Sequence, residues 1–318
     1  MAIRRRTTGD MCNLGAMTES EYGTPTGKPV YCGTLRTLSD KTAVQREEVV
    51  ECGQRSKTSL PTQYSTGFTA NMILRGSADE QMATLKGWLT KAMGIEPNLM
   101  EYYPSAEIPS FTATAKVGPQ EHQIWTGSKV DTLTLSQSAP GAFIQMQVDA
   151  VSKWHTFMDP SHSAQDEDGD EIAFILDHMA VVSPSGPPMN YARLAYDEIE
   201  LRAQSWSLSI SNSLEGDADA SELYGSLSAG KDSTPTGSEI TLEVTVPSMA
   251  SSELDVLRRD KSIEVNPDDV VAIGFGSYAI VLRDVIVDPA GPDRTSESAY
   301  TEKVKITARG LYITKVGA

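Results

Sequence analysis

Cysteine is scarce in this chain of 318 residues, which contains only Cys12, Cys32 and Cys52 and no C-x-x-C pair. Zinc sites require closely spaced ligand pairs, and domains held by disulfides require a higher and even number of cysteines. The sequence therefore argues against both kinds of stabilisation. It predicts three unpaired thiols in a reducing compartment.

Long hydrophobic runs and basic charge are also lacking. No apolar stretch approaches the roughly 18 residues that a membrane helix requires. The basic first residues lack the apolar segment of a secretion signal. There are 27 Lys and Arg side chains against 43 Asp and Glu, a formal net charge of -16. Because phosphate binding depends on Lys and Arg displacing counterions, this balance argues against a protein that grips nucleic acid.

Metal-binding patterns are missing. The histidines have no H-E-x-x-H or H-x-H spacing, and those near the acidic segment are predicted to be solvated loop residues. The run that begins at Asp166 fails as a calcium loop, because its sixth and twelfth positions hold Glu171 and Asp177 instead of Gly and Glu. We therefore expect no metal site. The four histidines are His122, His155, His162 and His178.

Catalytic and cofactor motifs are missing as well. There is no G-x-S-x-G elbow and no phosphate-binding loop, and the G-F-G at residues 274–276 lacks the third glycine of a dinucleotide motif. The tryptophans occur in helix, loop and strand patterns, so we interpret them as core residues rather than a ligand platform. The sequence predicts a protein that is not an enzyme and holds no cofactor. The tryptophans are Trp88, Trp125, Trp154 and Trp206.

Alternating hydrophobicity predicts a mainly β chain with one strong helix. Residues 1–45 are interpreted as an extended arm with room for one short strand, and residues 53–67 as a polar loop. Ser77 and Glu80 form a capping box and Gly94 fits a C-terminal cap, which predicts a helix over residues 77–93. Strands are predicted at residues 44–52, 68–74, 110–117, 129–136, 142–151, 205–211, 240–246, 270–275, 282–288 and 303–313.

The order of these elements repeats: strand, loop, strand, helix and three strands occur twice, with the second helix starting at Pro247 and carrying Leu254 and Leu257. This predicts a tandem duplication, with a first domain at 1–158, an acidic linker at 159–172 and a second domain at 173–318. The alternative is one continuous β-rich domain. Two copies of one fold can occupy two quasi-equivalent positions in a symmetric assembly.

Several segments resemble the major tail tube proteins of long-tailed bacteriophages. They are GFTANMI at residues 67–73 before the helix, SKVDTLTLS at 128–136, GAFIQMQV at 141–148 and QSWSLSISNSLE at 204–215. The resemblance implies a β-sandwich or barrel-like fold with one short helix per domain, and no catalytic activity. Most such proteins have one domain and assemble as hexamers. The two-domain minority forms trimeric rings with pseudo-sixfold symmetry, and the predicted duplication favours that group over a homohexamer.

This resemblance implies a virion protein of a non-contractile tail, assembled in the bacterial cytoplasm. Its rings stack into the tube through which DNA leaves. The implied partners are further copies of the chain, a tape measure protein, and tail terminator and distal tail proteins, with no membrane. An acidic chain suits a lumen that repels phosphates instead of binding them. The alternatives are another ring-forming tail or secretion-tube component, a carbohydrate-binding β-sandwich and, least favoured, a hydrolase of unrecognised type.

Two segments are predicted to make contacts between rings. The loop at residues 212–237 is rich in Gly, Ser and Asp and too long to order by itself, so we expect it to order against an adjacent ring. The basic N-terminal arm is the second candidate, since its cations suit an acidic neighbouring surface. The candidate assembly residues are Arg4, Arg5, Arg6, Glu215, Asp217, Asp219, Glu222 and Tyr224.

Overall fold

The computed structural model describes residues 13–50, 57–117, 121–158, 164–165, 171–172, 184–196, 199–214, 234–247, 266–289 and 301–316. Within these residues the chain is mainly β, as predicted, and its single helix is neither long nor apolar enough to cross a membrane. The elements of the first half are β1 (Asn13–Glu21), β2 (Thr24–Asp40), β3 (Ala43–Val50), β4 (Lys57–Ile73), α1 (Ala78–Met93), β5 (Phe111–Val117), β6 (Glu121–Gln137), β7 (Gln145–Ser152) and β8 (Trp154–Met158).

Six strands of the first half close into an antiparallel barrel in the order β1-β2-β4-β7-β6-β5, with β5 returning to β1. Closure removes the unpaired edges that an open sheet would expose. Strand β3 pairs with the first part of β4, residues 57–65, and so extends a hairpin from the barrel wall. The barrel confirms the barrel-like fold that the sequence predicted.

In the second half, the described strands form an antiparallel sheet that is open among them, in the order β13-β14-β17-β16-β15-β11-β12. A two-residue ladder between β9 and β10 lies inside the segment predicted to be an acidic linker. The elements are β9 (Ala164–Gln165), β10 (Glu171–Ile172), β11 (Arg193–Tyr196), β12 (Ile199–Leu201), β13 (Ser205–Ser211), β14 (Glu239–Pro247), β15 (Asn266–Phe275), β16 (Tyr278–Pro289) and β17 (Thr301–Lys315).

The same strand order occurs in both halves. In the barrel, β5, β6, β7 and β4 are neighbours in that order, and in the open sheet β15, β16, β17 and β14 follow one another in the same way. Strands β1 and β11 flank β5 and β15 respectively. In both halves, therefore, strands at corresponding positions in the chain take corresponding positions in the sheet.

Helix α1 has the predicted boundaries and caps. The Ser77 side chain accepts from the Glu80 backbone N–H, the Glu80 carboxylate accepts from the Ser77 N–H, and Gly94 ends the helix with a φ of 76°. This left-handed conformation favours glycine because it has no Cβ. The helix packs on the barrel core through Leu85, Trp88 and Leu89, each at most 2% exposed. The second predicted helix, after Pro247, lies outside the described residues.

Two predictions for the first 67 residues were wrong. Most of the expected arm is the hairpin of β1 and β2, in which Leu14 and Met17 are buried. The expected polar loop is largely the start of β4, which begins at Lys57. Apolar and polar residues alternate poorly in both segments, because β-bulges interrupt the pairing of β1 with β2 and of β3 with β4. A bulge shifts the side-chain period and hides the strand pattern in the sequence.

Candidate assembly surface

None of the candidate assembly residues is placed by the structure, because residues 1–12 and 215–233 are outside the described ranges. The base of the predicted loop is described, however. Leu214 forms an isolated bridge with Pro235, and the Thr236 hydroxyl donates to the Ser213 carbonyl at 2.6 Å. The loop at 212–237 therefore leaves and returns at one point, next to the end of β13.

The two halves are joined by strand pairing between β6 and β13. Residues 132–137 of β6 pair with β13, and Leu135 lies opposite Leu208 while Thr134 lies opposite Ser209. Residues 121–128 of β6 pair with β5, so β5 and β13 pair with successive parts of the same strand. This junction makes one continuous sheet from the first half to the second.

Buried polar contacts fix the junction. The Asn212 side chain is 1% exposed, and its Nδ2 donates to the carbonyls of Ala92 and Val130, each at 2.8 Å. The Trp206 indole N–H donates to the Gln137 Oε1 at 3.1 Å. Because buried polar groups are costly when they lose their partners, these bonds favour one alignment of the halves. Sequence patterns did not single out Asn212, which lies just after a predicted strand.

Replacement of Asn212 by alanine should destabilise the fold. The variant leaves two buried carbonyls without their donor, and each such group costs about 1–3 kcal/mol. We expect the free energy of unfolding, measured in urea, to fall by at least about 1 kcal/mol. Ser209→Ala, on the polar face of β13, is the matched control and should change it by less than about 0.5 kcal/mol. Equal effects for the two variants would contradict the role given to Asn212.

A second contact between the halves comes from the loop after α1. The Leu311 N–H donates to the Tyr102 carbonyl at 2.9 Å, and a Cβ at Gly310 would lie only 2.5 Å from that carbonyl oxygen. The Tyr103 hydroxyl donates to the Asp284 carboxylate, and this hydrogen bond raises the pKa of Tyr103. The loop thereby holds β16 and β17 against the first half.

One face of the joined sheet is apolar over eight strands. Strands β2, β4, β7, β6, β13, β14, β17 and β16 lie side by side, and we call them the eight-strand sheet. A single row of opposed side chains crosses all of them on the buried face. The row consists of Leu35, Met72, Met146, Leu135, Leu208, Leu242, Ile306 and Val287.

The opposite face, which we call the polar face, is lined mainly by hydroxyl and amide side chains. A second row crosses the same eight strands and contains no ionisable group. Asn71 Nδ2 donates to Thr37 Oγ1 at 2.8 Å within it, and the Thr134 and Ser209 hydroxyl oxygens are 3.4 Å apart. We call it the neutral row: Thr37, Asn71, Gln147, Thr134, Ser209, Thr241, Thr307 and Ile286.

Both outer strands of the eight-strand sheet have a segment paired on one side only. Residues 35–40 of β2 pair with β4, and residues 286–289 of β16 pair with β17; within the described ranges neither has a second neighbour. The open segment of β2 pairs with β4 as β13 pairs with β14. The open segment of β16 pairs with β17 as residues 132–136 of β6, which also pair with β13, pair with β7. The two open segments thus correspond to the two sides of the internal junction.

His155 was predicted to be a solvated loop residue, and this was wrong. It lies on β8, is 7% exposed and stacks on Trp125 with ring centroids 4.9 Å apart. Its Nδ1 lies 3.2 Å from Thr42 Oγ1 and 3.5 Å from Asp40 Oδ2. These contacts tie β8 to the point where β2 leads into the β3–β4 hairpin. Burial lowers the pKa of His155, against the opposing effect of the Asp40 charge.

Stability should therefore fall in mild acid. The lowered pKa means that the unfolded chain takes up a proton at His155 below about pH 6.5 while the folded chain resists it. The free energy of unfolding should be constant above that pH and decrease below it. Urea titrations at several pH values should show a smaller decrease in His155→Phe and a larger one in Asp40→Asn, which loses the carboxylate that favours the charged ring. The reverse order would contradict this account.

Two surface clefts, each of about 280 Å³, open on the described residues. One lies between β11, β12 and the junction, and the other beside the start of α1. Across the described ranges no three His, Cys, Asp or Glu side chains converge to hold a metal ion. Cys32 is a free thiol, as predicted, and it is buried; Cys12 and Cys52 are outside the described residues.

No protein-family model matches the chain, and no curated protein matches its sequence.

Proposed function

We propose that this chain is a structural virion protein that polymerises into stacked rings, forming the tail tube through which phage DNA is ejected. The observation that carries the proposal is the internal junction between β6 and β13. It joins two halves of like strand order and, among the residues that the structure describes, leaves a matching pair of edges open at the ends of the eight-strand sheet. An assembly that repeats this junction between chains satisfies both edges.

The shared strand order supports the proposed duplication. On this proposal residues 1–158 and 173–318 are two copies of a tube-type domain, joined by the segment at 159–172. The spacing of buried residues agrees: Val130, Leu133 and Leu135 on β6 are matched by buried side chains at the same spacing on β16. The matching residues are Leu282, Val285 and Val287.

Ring formation follows from the geometry of the open edges. The β2 segment of one copy would take, on β16 of the next copy, the place that β13 takes on β6. Such a contact is head-to-tail, since two different surfaces meet, and head-to-tail contacts close into rings when the rotation permits. Three chains with six similar domains fit the two-domain tube proteins that the sequence resembles. Tape measure, terminator and distal tail proteins remain proposed partners on the same basis.

Electron microscopy of the purified protein at high concentration, or of its particle, tests the function. We expect stacked rings whose end-on views show three chains and six similar lobes. Six chains per ring would retain the tube and contradict the duplication. Discrete capped rings would favour another ring-forming tail or secretion component. A compact dimer with no rings would contradict the proposal.

A further inference from the structure

We infer that copies of this chain also join through an apolar turn on one copy that seats in an apolar cleft on the next. The turn, which we call the tip, consists of residues 98–101 after α1, and the cleft is the one beside the start of α1. The inference rests on the proposed assembly of copies and names a second contact within it, separate from the open edges of the eight-strand sheet.

The tip presents two apolar side chains to solvent on a fixed backbone. Leu99 is 65% exposed and Met100 is 91% exposed. The Asn98 side-chain oxygen accepts from the backbone N–H groups of Met100 and Glu101, at 2.8 and 3.0 Å, and the Asn98 N–H donates to the Glu101 carbonyl at 3.0 Å. Single exposed apolar residues are common on protein surfaces. Two neighbours held in one turn are preorganised for a contact, because little entropy is lost when they bind.

The cleft is preformed and largely apolar. The Gln81 amide on α1 donates to the Pro187 carbonyl at 2.8 Å, which fixes the segment at residues 187–191 against the helix. The Tyr278 hydroxyl donates to the Asp79 carboxylate at 2.6 Å and holds the turn between β15 and β16 at the same place. At about 280 Å³, the cleft is smaller than the pockets of about 300–1,000 Å³ that bind small molecules, and it suits a pair of side chains. Its apolar lining includes Met82, Pro187, Pro188, Met189, Tyr191 and Phe275.

Exposed aromatic rings lie at and near the rim of the cleft. Tyr191 is 51% exposed and Phe143 is 46% exposed. The Gln137 amide donates to the carbonyls immediately before both residues, at 2.8 and 3.0 Å, and so keeps them close together. Because a methionine side chain adapts to irregular apolar surfaces and its sulfur packs favourably on aromatic rings, this rim suits Met100.

The tip and the cleft of one chain cannot meet. The cleft lies at the start of α1 and the tip follows its end, and a helix of 16 residues spans about 24 Å. The backbone on both sides of the tip is also tied to β17, since the Ile313 N–H donates to the Pro97 carbonyl at 3.5 Å and the Leu311 N–H donates to the Tyr102 carbonyl at 2.9 Å. The tip can therefore reach only the cleft of another copy.

Unlike surfaces meet in this contact, so it is head-to-tail, and such contacts build rings or stacks. Two side chains cover far less than the roughly 800 Å² per partner of a stable interface. The contact therefore adds to the edge pairing of an assembly and does not join two free copies by itself.

Leu99→Ser with Met100→Ser removes the apolar tip. Both side chains are exposed, so the urea midpoint of unfolding should not change. The protein concentration at which assemblies sediment should rise at least about tenfold, the change expected when one buried Leu or Met side chain is lost from a contact. The control, Val30→Thr, alters another exposed apolar residue and should change that concentration less than about twofold. Assembly of the serine variant at the wild-type concentration would overturn the inference.

Met100→Cys with Pro187→Cys tests the pairing directly, in a background with Ser at positions 12 and 52. A short bismaleimide cross-linker should join assembled copies of this variant into a series of linked chains. Either cysteine alone should give only monomer, because the contact joins unlike surfaces.

Three results would overturn the inference while leaving the proposed tube standing. They are rings of the double variant that do not link, linked dimers of the Met100→Cys variant, in which tips pack on one another, and links only to a different protein of the particle. A wild type that stays monomeric at high concentration would contradict the proposed function and this contact together.

Discussion

Cysteines placed at Thr37 and Ile286 should link separate chains into a covalent series that ends at the ring size. These residues are at opposite ends of the neutral row, separated by seven strand spacings of about 4.8 Å, so they cannot form a disulfide within one chain. If β2 of one copy pairs with β16 of the next as β13 pairs with β6, position 37 of the first copy lies directly opposite position 286 of the second. Cβ atoms of directly opposed residues are about 4.5–5.5 Å apart, near the range that a disulfide spans.

Mild oxidation followed by non-reducing electrophoresis gives the readout, in a background with Ser at positions 12 and 52. We expect dimers and trimers and no larger species, since three links close a trimeric ring. The matched control, Thr134→Cys with Ser209→Cys, occupies the internal junction and should yield only an internally linked monomer. Rings visible by microscopy but unlinked by the 37/286 pair would contradict this edge assignment. A series that continues to six chains would contradict the trimer.

Trp88→Ala should cause the largest loss of stability among single substitutions considered for this chain. The Trp88 ring is 1% exposed and packs edge-to-face on Phe111, with centroids 5.6 Å apart. Its indole N–H donates to the Cys32 carbonyl at 2.8 Å. Removing a buried tryptophan costs about 3–5 kcal/mol through lost contacts and the cavity left behind. The bond to β2 is lost as well, so we expect a value at the upper end of that range.

Urea unfolding measures this effect, and Trp88→Phe separates its two parts. The phenylalanine variant keeps most of the apolar contact and loses the hydrogen bond, so its loss of stability should lie well below that of the alanine variant. Because α1 contacts β2, β6 and β13, Trp88→Ala should also reduce ring formation by loosening the junction. A loss below about 1 kcal/mol in Trp88→Ala would mean that the helix does not hold the barrel core as described.

Local sequence patterns located most of the regular elements. Strand β13 and helix α1 were predicted nearly residue for residue, because Trp206, Leu208 and Ile210 alternate without a bulge and Ser77 and Gly94 mark the helix ends. Strands β1 and β2 were missed because bulges break their alternation. His155 was missed as a buried group because its burial depends on Trp125 and Thr42, which are distant in the chain.

The candidate surface was less accessible to sequence reasoning. The predicted assembly residues were chosen from charge and loop length and lie outside the described residues. The open edges of β2 and β16 have no sequence signature, since an edge differs from a central strand only in whether a neighbour is present. Hydroxyl side chains on β6 and β13 were visible as alternation, but their alignment into one row depends on the register between strands.

By itself, the sequence determined the fold class and the helix with its caps, because these depend on side-chain periodicity and on residues close together in the chain. Tertiary structure decided barrel closure, the β6–β13 junction and the alignment of uncharged side chains into the neutral row. Each of these depends on which strands become neighbours and in what register. That choice is made by packing between distant segments, and no local pattern encodes it.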